Sequence, residues 1–221
     1  MLITKHFVFV HLKKTGGRFI RNLCAEHMPA DWIVAELDDH AAARDIPPEF
    51  RDLPVLGFVR NPWDWYVSWY HYIRAQEQRK NGSESTYWSV VFDDGRASFK
   101  EAITAACSGV PLGGHPAPHW MERIREQDLD LYSLWCRQVY RAGFKGTVDI
   151  GRFENLREDF IAFLRRHEVP VDDGFAGHVM ERPPDNVTER DAYSSYYDAE
   201  LRELVRHKST VVDEYGYTFD G

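Results

Sequence analysis

The stretch VFVHLKKTGGR (8–18) places a short apolar run directly before two lysines and two glycines. The Val- and Phe-rich run predicts a buried strand over 6–12. Apolar residues then recur at helical spacing from Phe19 to Cys24, which predicts a helix. Glycines let backbone N–H groups turn toward an anion, the helix presents the positive end of its dipole, and lysines add full charge. The stretch therefore predicts a phosphate-binding turn, with a plain turn carrying solvated lysines as the alternative.

The rest of the chain alternates between strand-like and helix-like segments. Helical patterns occupy 120–142, 155–167 and 193–214, and further strands are predicted at 31–37, 53–60 and 146–153. This alternation predicts an α/β fold with a P-loop-like central parallel sheet flanked by helices, as a single domain over 1–221. The usual GxxxxGK[ST] letters of a P-loop are absent. Ligands of such sheets bind beyond the carboxyl ends of the strands, where we expect Lys13, Lys14, His40 and Arg60.

A second stretch, FVRNPWDWYVSWYHY (58–72), marks the end of one strand and the start of a helix. Asn61 suits the N-cap and Pro62 the first helical position. Arg60 then lies beside the helix start, and Ser68 follows about two turns later. A cation and a hydroxyl near a helix start can share one phosphate. The alternative is a surface arginine, and the tryptophans and tyrosines of the stretch are expected in the core.

Together the two stretches resemble the sulfotransferase family, in its carbohydrate-type branch. That family uses 3′-phosphoadenosine 5′-phosphosulfate (PAPS) as sulfuryl donor. Its second motif, RNPxDxxxSxY, is matched in full by residues 60–70. Its first loop, PKTGGT, is matched in part, because Lys13 replaces the usual proline and Arg18 the usual Thr or Ser. The matching residues are Lys14, Thr15, Gly16 and Gly17.

The resemblance implies how PAPS would be bound. The loop would hold the 5′-phosphosulfate, and Arg60 and Ser68 would hold the 3′-phosphate. The segment DIGRFENLREDF (149–160) is similar to a family strand and turn that would place Phe153 by the adenine. The C-terminal region from 193 onward is similar to the end of the carbohydrate-type branch. Residues 73–145 match nothing in it and are expected to be an acceptor-specific insert.

The same resemblance suggests a loop that closes over the nucleotide before the final helix. Its residues would be Arg182, Asn186 and Arg190. The polar, Pro-containing sequence itself favours solvated loop side chains for these residues, and that is the expectation we adopt.

Sulfuryl transfer to a hydroxyl needs a cation at the leaving phosphate and a base at the acceptor. We expect Lys14 to stabilise the leaving group. His40, just after the second predicted strand, is the expected general base because its ordinary pKa is near 6.5. A surface histidine in an acidic turn is the open alternative for His40. Glu36 and Asp39 are the alternative bases, and His11 is expected to be packed or structural.

Two other classes of function stay open at this stage. A nucleotide-dependent kinase with a divergent P-loop would need Mg²⁺ and an acidic ligand after a strand, for which Glu36 or Asp38 would serve. A non-catalytic nucleotide-binding protein would need neither, since a fold does not fix function.

The net charge and the absence of long apolar segments limit the kinds of partner that the protein is expected to bind. The net charge of −8 argues against general binding of nucleic acid or anionic membranes. No apolar segment approaches the ~20 residues that span a bilayer, and no secretory signal is evident, so a cytoplasmic protein acting on a small-molecule or carbohydrate acceptor is expected. Cys24, Cys107 and Cys136 form no CxxC pair, and prolines separate His115 from His119, so no metal site is predicted.

Overall fold

The computed structural model describes residues 1–38, 41–80, 86–185 and 190–220. The chain divides into two compact units, which are described separately below. The first comprises Met1–Arg60 and Trp135–Val187, and the second comprises Asn61–Leu134 and Thr188–Gly221. The sequence predicted one domain, with an insert over 73–145. Much of that segment belongs to the second unit.

The first unit contains a five-stranded mixed sheet in the order β3-β1-β2-β4-β5. Four of the strands fall within segments that the sequence predicted as strands. The parallel pairs are β2 with β4 and β4 with β5, whereas β1 pairs antiparallel with β2 and β3. The strands are β1 Leu2–Thr4, β2 Val8–Phe9, β3 Ile33–Glu36, β4 Val55–Val59 and β5 Val148–Arg152.

The fully parallel sheet expected from the sequence is therefore wrong at β1. This strand has only three residues, too few to show a pattern. A tight turn reverses the chain before β2, and the Thr4 hydroxyl stabilises it. Its oxygen accepts hydrogen bonds from the N–H groups of His6 and Phe7, and it donates to the Phe7 carbonyl at 2.8 Å.

The helices of the described chain are α1 Gly17–His27, α2 Pro62–Lys80, α3 Thr86–Val90, α4 Phe99–Ser108, α5 His119–Gln127, α6 Leu131–Tyr140, α7 Leu156–Arg166, α8 Asp173–Glu181, α9 Ala199–Lys208 and α10 Thr210–Tyr215. The predicted helices at 155–167 and after the glycines are confirmed as α7 and α1. The single helix predicted over 120–142 is instead α5 and α6, because Asp128 adopts a left-handed backbone with φ of 50° that ends α5. The pattern over 193–214 likewise divides, between α9 and α10.

Each unit has its own core. In the first, the phenylalanines of β2, β4 and α7 pack with the apolar face of α1, including Phe19, Ile20 and Leu23. In the second, Trp65 of α2 stacks on Tyr132 at 4.3 Å between ring centres and on Trp69 at 5.7 Å. The tryptophans of α2 are buried together with Tyr66 and Tyr70, which confirms the expectation that they are core residues, whereas Tyr72 is 37% exposed and the expectation is wrong there.

Candidate functional site

The glycine-containing loop lies between β2 and α1, as the sequence predicted. Lys14 and Gly16 have left-handed backbones, with φ of 67° and 82°. Gly16 is the N-cap of α1, no side chain caps the helix, and its first turn holds no acidic residue. The first N–H groups of a helix have no intrahelical acceptors, and they attract anions. The loop therefore has the local geometry of an anion-binding turn.

Two residues of the loop have structural tasks within it. The Thr15 hydroxyl is buried and donates to the Leu12 carbonyl at 2.7 Å, so a contact from Thr15 to an anion would come from its backbone N–H. At Gly17, an added Cβ atom would lie 1.8 Å from Cδ2 of His11. The His11 ring also stacks on Phe9, which agrees with the expectation that it is packed. Arg18 is exposed in the first turn of α1.

Four predicted site residues from three separate stretches of the sequence come together in the first unit. The Arg60 guanidinium lies 4.1 Å from the centre of the Phe153 ring, and its Nη1 donates to the Lys14 carbonyl at 3.2 Å. A Cβ atom added at Gly16 would lie 3.2 Å from Cδ2 of Phe153 and 2.9 Å from Cδ2 of Leu156. Arg60 is only 8% exposed, so the alternative of a surface arginine is wrong.

Lys13 lies beside a different aromatic side chain, that of Trp135. Its Nζ is 5.6 Å from the centre of the Trp135 ring, and the residue is half-buried. Burial lowers the pKa of Lys13, and the nearby negative charge of Asp38 opposes that shift. The position of Trp135 beside Lys13 was not predicted, because Trp135 falls inside an ordinary helical pattern.

In the second unit, the predicted helix start is confirmed. The Asn61 Oδ1 accepts from the N–H groups of Trp63 and Asp64, at 3.1 and 3.5 Å. Asp64 forms an ion pair with Arg190 at 2.5 Å. Ser68 is half-buried in α2. Its contact with a phosphate stays a prediction of the sequence motif.

The predicted base and one loop residue fall outside the described residues. These are His40, with its alternative Asp39, and Asn186. The other alternative, Glu36, is in an ion pair with Arg21 at 2.6 Å.

Neither Arg182 nor Arg190 is a solvated loop residue, so that expectation is wrong. Their side chains are 14% and 16% exposed. Arg182 pairs with Glu26 of α1 and with Asp185. Glu26 and Asp64, the partners of Arg182 and Arg190, lie 156 and 126 residues away along the chain, so no local pattern predicts these two pairs.

One group of potential metal ligands occurs among the described residues. Asp93, Asp94 and His115, in the second unit, have ligand atoms within 4.8 Å of one another. Arg96 already pairs with Asp93 at 2.6 Å and lies 3.6 Å from Asp94. Since a guanidinium neutralises the carboxylates, the group is explained without an ion.

No family model matches the chain, and neither does any curated protein or solved structure. None of the helices in the described ranges is long and apolar enough to cross a membrane.

Proposed function

We propose that this protein is a PAPS-dependent sulfotransferase that moves the sulfuryl group to an acceptor hydroxyl. One observation carries the proposal. Arg60 stacks on Phe153 and donates to the carbonyl of Lys14, while Phe153 packs at Gly16. A cation, an aromatic ring and a glycine turn at a helix N-terminus are the groups that a nucleotide with phosphates needs.

In the proposed site each residue type has a physical task. The N–H groups of the loop and of the first turn of α1 bind the 5′-phosphosulfate, together with Lys13, Lys14 and Arg18. Phe153 offers its ring to the adenine, and Arg60 brings positive charge for the 3′-phosphate, with Ser68 as the second contact expected from the motif. Lys14 stabilises charge that develops on the leaving phosphate oxygen. Catalysis then depends on positioning and cations more than on covalent chemistry.

The acceptor hydroxyl must lose a proton to a base, and we propose His40 for that role from the sequence. Glu36 is a weaker choice because Arg21 already binds its carboxylate. We further propose a small-molecule or carbohydrate acceptor. The described residues show no disulfide, which fits a reducing compartment, and we propose the cytoplasm.

The same ion pair weakens the kinase alternative. A kinase would need a carboxylate after a strand to bind Mg²⁺. The Glu36 carboxylate already forms an ion pair with Arg21, which competes with metal binding. Asp38 would then be the remaining candidate among the two carboxylates considered.

Calorimetric titration with 3′,5′-adenosine bisphosphate (PAP), beside ATP with and without Mg²⁺, tests the proposal. We expect metal-independent binding of PAP, and we expect Arg60→Ala to weaken it by about tenfold or more because a charge-assisted contact is lost. Arg165→Ala is the matched control, since Arg165 is an exposed arginine of α7. Thermal melts verify that both variants fold. Binding of Mg·ATP alone would favour the kinase, and binding of neither nucleotide would overturn the nucleotide site itself.

A further inference from the structure

An apolar groove lies on the surface of the first unit, between α7 and α8. The two helices form an antiparallel hairpin, because Arg157 near the start of α7 donates to the Val179 carbonyl near the end of α8 at 3.1 Å. Met180 borders the groove and is 47% exposed. An exposed methionine beside such a groove is typical of an interaction surface. The groove has a volume of about 400 Å³, and its apolar lining consists of Ile161, Ala162, Ala176, Gly177 and Met180.

The α7 side of the groove carries one charge at each end. Glu158 lies near the start of α7, and Arg165 lies about two turns further along the same face. Ile161 and Ala162 lie between them. Both charged side chains are exposed, and within the described ranges neither forms an ion pair. The groove therefore has an acidic end, an apolar middle and a basic end.

This order of side chains is complementary to its own reverse. Consider α7 packed antiparallel on a second copy of itself, with a two-fold axis between positions 161 and 162. Glu158 then faces Arg165 of the partner subunit, and Ile161 faces Ala162 of the partner subunit. Because the axis is two-fold, every such contact forms twice. The charge pattern thus identifies a second copy of this chain as the molecule that fits the groove.

We propose that the protein forms a two-fold symmetric dimer in which α7 of each chain packs in the α7–α8 groove of the other. Covering Met180 and the middle of the groove removes apolar surface from water, which supplies affinity. The charges at the ends fix direction and register, because a parallel pairing would place each charge opposite its like.

Sedimentation equilibrium of the full chain, without nucleotide, tests the dimer. We expect a reversible equilibrium between monomer and dimer for the wild type. Glu158→Arg and Arg165→Glu should each raise the dissociation constant by about tenfold or more, because each brings two pairs of like charges face to face. Lys145→Glu is the control for a change in charge. It replaces an exposed lysine of the same unit and should leave the constant unchanged.

Two further samples test the antiparallel register. The double variant Glu158→Arg/Arg165→Glu should restore the wild-type dissociation constant, since reversing both charges keeps the order complementary to its reverse. An equimolar mixture of the two single variants should form a heterodimer, because one chain then has two positive ends and the other has two negative ends. Loss of the dimer in the single variants without recovery in either sample would overturn the register. Single variants that dimerise as tightly as the wild type would overturn the groove as the interface.

The dimer does not depend on the proposed function, and the two can fail separately. Arg165→Ala, the control of the PAP titrations, should weaken the dimer and keep the wild-type affinity for PAP. A wild type that stays monomeric at the highest concentration reached would overturn the dimer, leave the groove to a different partner, and leave the nucleotide site untouched. Thermal melts and urea titrations are made on dilute protein, where the chain is a monomer, and they verify that each variant folds.

Discussion

Arg60 and Phe153 meet because β4 and β5 pair in parallel with Val59 opposite Arg152. The next residue of each strand continues past the sheet edge, and there the Arg60 guanidinium lies 4.1 Å from the Phe153 ring centre. Two residues 93 positions apart in the chain are thus joined by strand register alone. The contact combines a positive charge with an aromatic surface at the carboxyl edge of the sheet, where ligands of α/β folds bind.

Replacing Phe153 by leucine tests whether this aromatic surface holds the base of the nucleotide. Leucine keeps an apolar side chain but cannot stack, and stacking of a base on an aromatic ring contributes ~1–3 kcal/mol. We therefore expect Phe153→Leu to weaken PAP binding by about tenfold in calorimetry. Phe144→Leu, a half-buried phenylalanine of the same unit, should leave the affinity unchanged. Equal affinities of wild type and Phe153→Leu would place the base elsewhere.

Gly17→Ala tests the close packing of the loop against the first strand segment. The added Cβ atom would lie 1.8 Å from the His11 ring, so either the ring or the start of α1 must move. We expect a loss of about 2–3 kcal/mol in the free energy of unfolding, measured by urea titration. The double variant His11→Ala/Gly17→Ala should recover part of that loss, since the clashing ring is gone.

Gly177→Ala provides the matched control for this prediction. Gly177 lies inside α8, and an added Cβ atom there would meet nothing within 4 Å. Because alanine has a higher helix propensity than glycine, we expect the free energy of unfolding to increase by about 0.5–1 kcal/mol. A similar loss for both glycine variants would argue against the specific role of His11.

Local signals in the sequence were sufficient to predict the glycine turn of the first unit and the helix start at Asn61 in the second unit. The glycines before α1 and the Asn61 cap before α2 act on their own neighbours, so a short window contains the cause. The antiparallel β1 could not be predicted in this way, because three residues carry no period and its pairing depends on strands elsewhere in the chain.

The long-range ion pairs were not predicted because their partners also lie far apart in the chain. Arg182 binds Glu26 and Arg190 binds Asp64, over sequence separations of 156 and 126 residues. The sequence predicted solvated side chains at Arg182 and Arg190 because each residue lies in a polar, Pro-containing stretch. Likewise, the position of Trp135 beside Lys13 depends on how α6 packs, which no motif encodes.

The buried carboxyl of Asp130 predicts a pH dependence of stability in the second unit. Asp130 is fully buried, accepts from the Tyr66 hydroxyl at 2.9 Å and from the Ser133 N–H at 2.8 Å, and burial raises its pKa. A raised folded-state pKa means that the native state binds the proton more tightly than the unfolded chain. The stabilisation is thus fully present below the unfolded value of ~3.9 and is lost as pH rises through the folded value.

Asp130→Asn removes this titration while keeping one oxygen for the Ser133 N–H. We expect the stability of the variant relative to wild type to increase from pH 4 toward pH 8, in urea titrations at each pH. Other titrating groups affect both proteins alike and cancel in the difference. A difference that stays constant over this range would mean that Asp130 does not retain its proton longer in the folded state.

The ion pair of Asp64 and Arg190 predicts a strong coupling between the start of α2 and the segment that begins at residue 190. Both side chains are mostly buried, at 17% and 16% exposed, and their atoms approach to 2.5 Å. Removing one partner of such a pair leaves the other charge desolvated and uncompensated, which costs about 3 kcal/mol. We therefore expect Arg190→Ala and Asp64→Ala each to lower the free energy of unfolding by about that amount.

The double variant separates the ion pair from general loss of packing. Because it leaves no unpaired charge, we expect it to be more stable than either single variant, with a coupling free energy of ~1–3 kcal/mol in the double-mutant cycle. The surface pair of Lys5 and Asp31, 2.6 Å apart but 46% and 71% exposed, is the comparison and should give a coupling below ~1 kcal/mol. Additive effects for Asp64 and Arg190 would show that each side chain acts through packing and that the motif aspartate does not depend on its arginine.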